Sequence, residues 1–369
     1  MPKRPAAEMF GRATPFSDRE PRPFADFPGA AVYSPAGYLP QIAAIWTATA
    51  LGWSVEAMVR LGRILNAALT LSLFLLAFRI APSGRLYLLL LALMPMTAAM
   101  AASLGQDGLV LGTCGLAAAL ALRARREARW SGRALLLLAA SGAVLALTKI
   151  VYLPLLLLAV LPVPPGAARA RWIGAPLALT LACAGLAFAW LRGNAASVVR
   201  HAPGIPDPGG QIAFLKAHPL DFLVVLSNTA VERSGWIALS AFNFGWLTVG
   251  PVVLAAILAG GAVAFAWWRG EPAAGVPDRP WRLWAAILVL IVTAAVAATM
   301  YIAATPVAEP IVHGLQGRYL LPLLPIVLLA AAPRRGRWSG PWAAILALLL
   351  LGAANLAALA AIGRAFYTA

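Results

Sequence analysis

Residues 134–163 read ALLLLAASGAVLALTKIVYLPLLLLAVLPV, a run whose one charge is Lys149. A helix needs about 20 apolar residues to cross a bilayer core. The stretch is therefore either one long helix with a lysine in its middle or two short helices turning near Thr148-Lys149-Ile150. The choice reverses the side of every later loop. With two helices, Arg79, Arg85, the 123–133 cluster, Arg169, Arg171, Arg269, Arg279, Arg282, Arg334, Arg335 and Arg337 share one face. That is fifteen basic residues against nine on the other face past residue 50. Basic residues gather on the cytoplasmic side, and a lysine at mid-bilayer costs roughly 2.5–3.5 kcal/mol. Paired short helices are expected, with Lys149 near the outer surface.

The pattern repeats along the chain. Hydrophobic residues make up 62% of the sequence and charged residues 11%, against about 45–50% and 25% in soluble domains. Lipid must solvate most of it. Uncharged runs predict ten spans, near 60–80, 85–104, 108–122, 134–148, 150–163, 172–191, 249–268, 283–303, 319–333 and 341–362. The net charge of +16 would suggest nucleic acid in a soluble protein. Here the arginines sit between apolar runs, which is the pattern of cytoplasmic membrane loops, so nucleic acid is not expected as a partner. The two cysteines, Cys114 and Cys183, lie inside apolar runs and offer neither a disulfide framework nor a zinc site. His201, His218 and His313 are scattered, without metal-ligand spacing. Walker, G-x-G-x-x-G, H-E-x-x-H and G-x-S-x-G motifs are missing from the sequence.

On the expected orientation Glu127, Glu271 and Asp278 fall inside. Glu56, Asp107, Asp207, Asp221, Glu232, Glu309 and all three histidines fall outside, as does the C-terminus. Residues 1–40 read as a polar, Pro-rich external segment, and 41–365 as a single transmembrane domain that includes an external loop at 192–235. No signal peptide is visible, yet the first span must run inward. The chain is thus expected to begin downstream of a missing first helix.

Four external segments hold the candidate chemistry. Tyr33-Ser34-Pro35-Ala36-Gly37-Tyr38-Leu39-Pro40-Gln41 is turn-rich, and 41–55 suits a helix lying in the interface with Tyr33, Tyr38, Trp46 and Trp53 as aromatic anchors. Ser103-Leu104-Gly105-Gln106-Asp107-Gly108 places Asp107 at the start of a helix. There it either serves the free amides and the dipole or contacts substrate or metal. Residues 211–230 read as an interfacial helix broken at Pro219. In His313-Gly314-Leu315-Gln316-Gly317-Arg318-Tyr319, Arg318 either snorkels to headgroups or offers its planar fork to phosphate.

Tyr33-Ser-Pro-x-x-Tyr-Leu-Pro-Gln41, Arg63-x-x-Asn66, Pro95-Met96 leading to Ser103-x-x-x-Asp107, Thr148-Lys149-x-x-Tyr152-x-Pro154, and Gln316-Gly-Arg-Tyr-Leu-x-Pro322 occur in this order. Together they resemble the bacterial multi-pass membrane proteins grouped as "domain of unknown function 2142", over about residues 24–365. That family is in turn similar to integral-membrane glycosyltransferases of the C-type fold. The resemblance implies an all-α, polytopic protein of the bacterial inner membrane with interfacial helices outside. It implies transfer of a sugar from a polyprenyl-phosphate donor to an extracytoplasmic glycan or lipid, with membrane lipid as the other partner. Arg318 would contact phosphate; Gln316, Tyr319, Lys149, Tyr152 and His313 would line the substrate site. The related enzymes carry an acidic pair after their first span, and this chain begins downstream of that point. Asp26 and Asp107 are the weak candidates for a base, and a chain lacking that pair would be inactive. No cofactor is evident, although the mechanism admits a divalent metal; no metal ligands are assigned. The alternative expectation is a non-enzymatic lipid-linked glycan flippase or a structural subunit of an envelope export complex.

Overall fold

The computed structural model describes residues 4–5, 33–194, 207–245, 247–269, 277–333 and 341–368. Apart from a two-residue parallel pairing of Arg4–Pro5 with Tyr367–Thr368, the regular structure among them is helical. The helices are α1 (Leu39–Ala50), α2 (Val55–Ile80), α3 (Arg85–Leu93), α4 (Pro95–Ala101), α5 (Asp107–Glu127) and α6 (Gly132–Thr148). A 3-10 segment, Ile150–Ala159, follows. Next come α7 (Arg169–Gly193), α8 (Pro208–Ala217), α9 (Asp221–Ser240), α10 (Val253–Arg269), α11 (Arg279–Ala304), α12 (Leu324–Ala331) and α13 (Pro341–Phe366). Five of them, α2, α5, α7, α11 and α13, are long and apolar enough to cross a membrane; α6, Ile150–Ala159, α10 and Gly317–Ala331 are shorter apolar pieces.

The 134–163 run divides where the sequence placed the turn, with Lys149 as the residue that ends α6. The run expected at 85–104 is not one helix. Met94 is extended (φ −59, ψ 139) ahead of Pro95, because a proline ring crowds the preceding residue out of the helical region and removes a donor. The run expected at 319–333 likewise breaks into two 3-10 turns, Gly317–Tyr319 and Leu321–Leu323, before α12. The interfacial stretch expected at 211–230 is α8 and α9, separated around Pro219. Serine side chains start two of the helices: Ser54 accepts from the Ala57 amide and Ser131 from the Ala134 amide, supplying partners for donors that have none inside the helix.

Helix α5 lies at the centre of the bundle. Its most apolar window is 89% buried, against 22–33% for the other four long helices. Its interior carries small residues, Gly108, Gly112, Gly115 and Ala117 to Ala119, where the lipid-facing helices carry leucine and isoleucine. Between helices in lipid, attraction comes from close packing, and small residues permit it. A Cβ at Gly108 would lie 2.7 Å from Thr70 Oγ1 and 3.0 Å from Ala101 Cα; one at Gly112 would lie 2.8 Å from Leu73 Cβ.

α5 also sets the molecule's two ends. Asp107 opens it and Arg125 and Arg126 close it, about 27 Å apart at 1.5 Å per residue. At the second end Arg125 Nη2 reaches both Asp278 carboxylate oxygens (2.6 and 2.7 Å) and Nη1 donates to the Pro162 carbonyl (2.7 Å). Trp172 Nε1 donates to Val160 O and Arg282 Nε to Ala330 O there as well.

Candidate functional site

The five sequence motifs meet at the Asp107 end. Asn66, fully buried on α2, points its amide nitrogen at the loop between α4 and α5. Nδ2 lies 3.1 Å from each of the Ala101, Ser103 and Gly105 carbonyls. Gln41 Nε2 holds Leu104 O at 3.1 Å. Ser103 Oγ donates to Met100 O at 2.7 Å and accepts from the Gly105 amide at 3.0 Å. A loop held at the Ala101, Ser103, Leu104 and Gly105 carbonyls and at the Ser103 hydroxyl fixes where Asp107 emerges, in the first turn of α5. Asp107 stands in the first turn, facing the dipole, but makes no capping bond among the described residues, and neither does the side chain of Gln106 before it. The carboxylate reaches across the bundle instead.

It reaches Lys149, whose Nζ donates to Asp107 Oδ1. The lysine is presented by the end of α6, where Thr148 Oγ1 donates back to Val144 O (2.6 Å) and the Ser34 amide donates to Leu147 O (3.2 Å). Gly37 lets the 33–41 motif close on this junction, since a Cβ there would collide with Gln106 Oε1 and sit 3.0 Å from Thr148 Cγ2. Burial disfavours charge on Lys149, but the adjoining Asp107 outweighs burial and holds the ammonium above the usual lysine range. The pair is part-buried, with side-chain exposures of 18% and 29%.

The 317–323 turns complete the group. Tyr152 donates its hydroxyl to the Tyr319 carbonyl at 2.7 Å. Lys149 Nζ lies 5.3 Å from the centre of the Tyr319 ring and Arg318 Cζ 5.4 Å from it, both within range of cation–π attraction. Asp107, Lys149, Tyr152, Arg318 and Tyr319 line one narrow crevice, walled also by Met100 and Pro322. Lys149, Tyr152 and Tyr319 are shared with a larger cavity of about 290 Å³, whose remaining walls include Tyr33, Leu147, Trp190, Val296 and Met300. In charge terms, Lys149 and Asp107 cancel. Arg318 forms no ion pair or hydrogen bond among the described residues, and its buried Nε has no acceptor. The crevice therefore carries one uncompensated guanidinium.

Five of the expected site residues are brought together and two are not. Gln316 is buried with Oε1 unpartnered but does not line the crevice. His313 faces Glu309, 3.6 Å away, beside Arg233 and Trp236 in a separate pocket. Asp26 lies outside the described residues. Three residues of the site were not assigned from sequence: Asn66, Tyr33 and Trp190. Asn66 was visible only as a member of Arg63-x-x-Asn66, with Arg63 exposed. Among the described residues no three His, Cys, Asp or Glu side chains come together as a metal would require.

Apolar helices of membrane-crossing length around a small-residue core, with polar side chains from separate segments gathered at one end, define a multi-pass membrane protein. The chain belongs to the family described as "Predicted membrane protein (DUF2142)", whose model matches residues 3–327. No curated protein and no solved structure matches the chain.

Proposed function

We propose that this protein is a membrane glycosyltransferase of C-type-like architecture, with ten spans in a bacterial inner membrane and its C-terminus outside. It moves a sugar from a polyprenyl-phosphate donor to an extracytoplasmic glycan or lipid. The observation that carries the reading is Arg318, a guanidinium without an anion among the described residues, in a crevice that shares three of its walls with an apolar cavity. That combination suits a phosphate joined to a hydrocarbon chain. In the displacement, the acceptor oxygen bonds to the anomeric carbon as the bond to the lipid phosphate breaks. Arg318 neutralises the charge growing on the departing phosphate. A carboxylate takes the acceptor proton, and Asp107 is the one in the crevice, with Oδ2 unengaged among the described residues. Asp26 is the second candidate base. Lys149 fixes Asp107, and Tyr152 fixes the backbone that carries Arg318.

A flippase would need polar groups continuing to the other end. The core of α5 from Leu109 to Leu122 offers Thr113 and Cys114 and is otherwise glycine and apolar residues, which favours the enzyme. Arg318→Ala should reduce transfer from a polyprenyl-phosphate sugar in isolated membranes by at least about 100-fold while insertion stays normal; full activity would remove Arg318 from the site. A cysteine at 128 should react with an impermeant thiol reagent only after lysis, and one at 207 in intact spheroplasts. The reverse pattern would reject the orientation.

A further inference from the structure

We propose a second lipid site at the opposite end: the groove between α11 and α12 holds an anionic phospholipid, with its phosphate on Arg279 and Arg282. The groove has a volume of about 760 Å³ and is lined by those two arginines and by Leu283, Ala286, Leu290 and Val327. Polar and apolar parts are ordered along it. The arginines sit in the first turn of α11, and Leu290 lies about 12 Å beyond Arg282 down the axis. A phospholipid has the same order, with a charged head followed by a hydrocarbon tail.

Among the described residues the charge is uncompensated. Asp278, the neighbouring carboxylate, is taken by Arg125. Arg282 donates Nε to Ala330 O at 2.6 Å, which orients its guanidinium across the groove. Its two terminal nitrogens, and all of Arg279, make no hydrogen bond or ion pair among the described residues. The start of α11 adds the partial positive charge of free amides. Depth is marked independently by tryptophan. Trp267 and Trp268 are partly exposed at this end, and Trp267 Nε1 donates to Ala331 O at 3.1 Å. Tryptophan prefers the headgroup level, so the arginines lie where lipid phosphates do. Basic pockets between helices on the arginine-rich side suit anionic headgroups. This site does not depend on the transferase reading.

The test uses the full chain in nanodiscs of phosphatidylcholine with one fifth phosphatidylglycerol, followed by extraction and mass spectrometry of lipids that stay bound. The wild type should retain phosphatidylglycerol in preference to phosphatidylcholine. Arg279→Gln with Arg282→Gln should weaken that retention roughly 30-fold, and the exposed-arginine control Arg126→Gln should leave it unchanged. Ala286→Trp, which fills the apolar half and keeps both arginines, should also expel the lipid, so a folding defect in the double variant would not shelter the proposal. Equal retention of both lipids, survival of binding in either groove variant, or a second protein copy at the groove in cross-linking would overturn it. So would displacement by millimolar inorganic phosphate, since the site would then recognise an anion without a tail.

Discussion

The two ends of α5 use the same charged residue types and reach opposite results. At the Arg125 end, arginines meet carbonyl groups and the exposed carboxylates of Asp278 and Glu127, at places where helices stop and donors or acceptors are left over. Those contacts tie α5, the segment after Ile150–Ala159 and α11 together at the rim. At the Asp107 end, side chains from three separate segments, at 107, 149–152 and 318–319, turn inward and meet, beside a loop pinned by Asn66 and Gln41. One cation there is left without an anion. The difference is one of preorganisation: the rim contacts close helix ends, whereas the inner cluster holds charge in fixed positions along a narrow crevice.

Substitutions can break this contrast, with effects of graded size. Gly108→Leu should be the most damaging, because its Cβ meets backbone at Ala101 as well as Thr70; overpacking there should cost about 3 kcal/mol or more, read as loss of monodisperse protein in detergent. Lys149→Ala strands the part-buried Asp107 carboxylate and should cost about 2–3 kcal/mol in reversible unfolding. Adding Asp107→Asn should recover part of that, which a merely steric effect would not allow. Asn66→Ala frees three carbonyls of the Ala101–Gly105 turn and should cost about 2 kcal/mol, together with faster hydrogen exchange confined to 101–107. Arg125→Ala should cost only about 1 kcal/mol, because Asp278 is 45% exposed and water replaces the lost partner. If the Arg125 variant proved more costly than the Lys149 variant, the contrast between rim and interior would be reversed.

Much of the frame was legible in sequence, and the gaps have physical causes. The 134–163 run showed its turn because a single lysine cannot rest in hydrocarbon. Asp107 could be placed at a helix start from the preceding Gly105-Gln106, but not given its partner, since Lys149 lies 42 residues away and no period connects them. Pro95 and Pro322 broke two runs that hydropathy alone joined, because an apolar count does not register a missing backbone donor. Gln316 and His313 are near Arg318 in the chain and yet do not line its crevice. The 3-10 turn at Gly317–Tyr319 swings Arg318 and Tyr319 toward Lys149, and the preceding residues pack on α9 through the Gly317 amide and Ser240 Oγ (2.8 Å). Asn66, buried in an apolar helix, could be recognised as a motif but not as a clamp, because its acceptors are backbone atoms that any sequence would supply.

Arg318 should contribute little to folding, since among the described residues it has no anion to lose; its role is visible only with ligand. The most direct measurement compares a polyprenyl phosphate with the corresponding polyprenol for binding to the full chain in nanodiscs, in wild type and Arg318→Ala. A preference for the phosphate in the wild type that falls by at least about 10-fold in the variant, at unchanged thermal stability, is the predicted result. Equal binding of the two lipids to the wild type, or an undiminished preference in the variant, would contradict a phosphate site at Arg318.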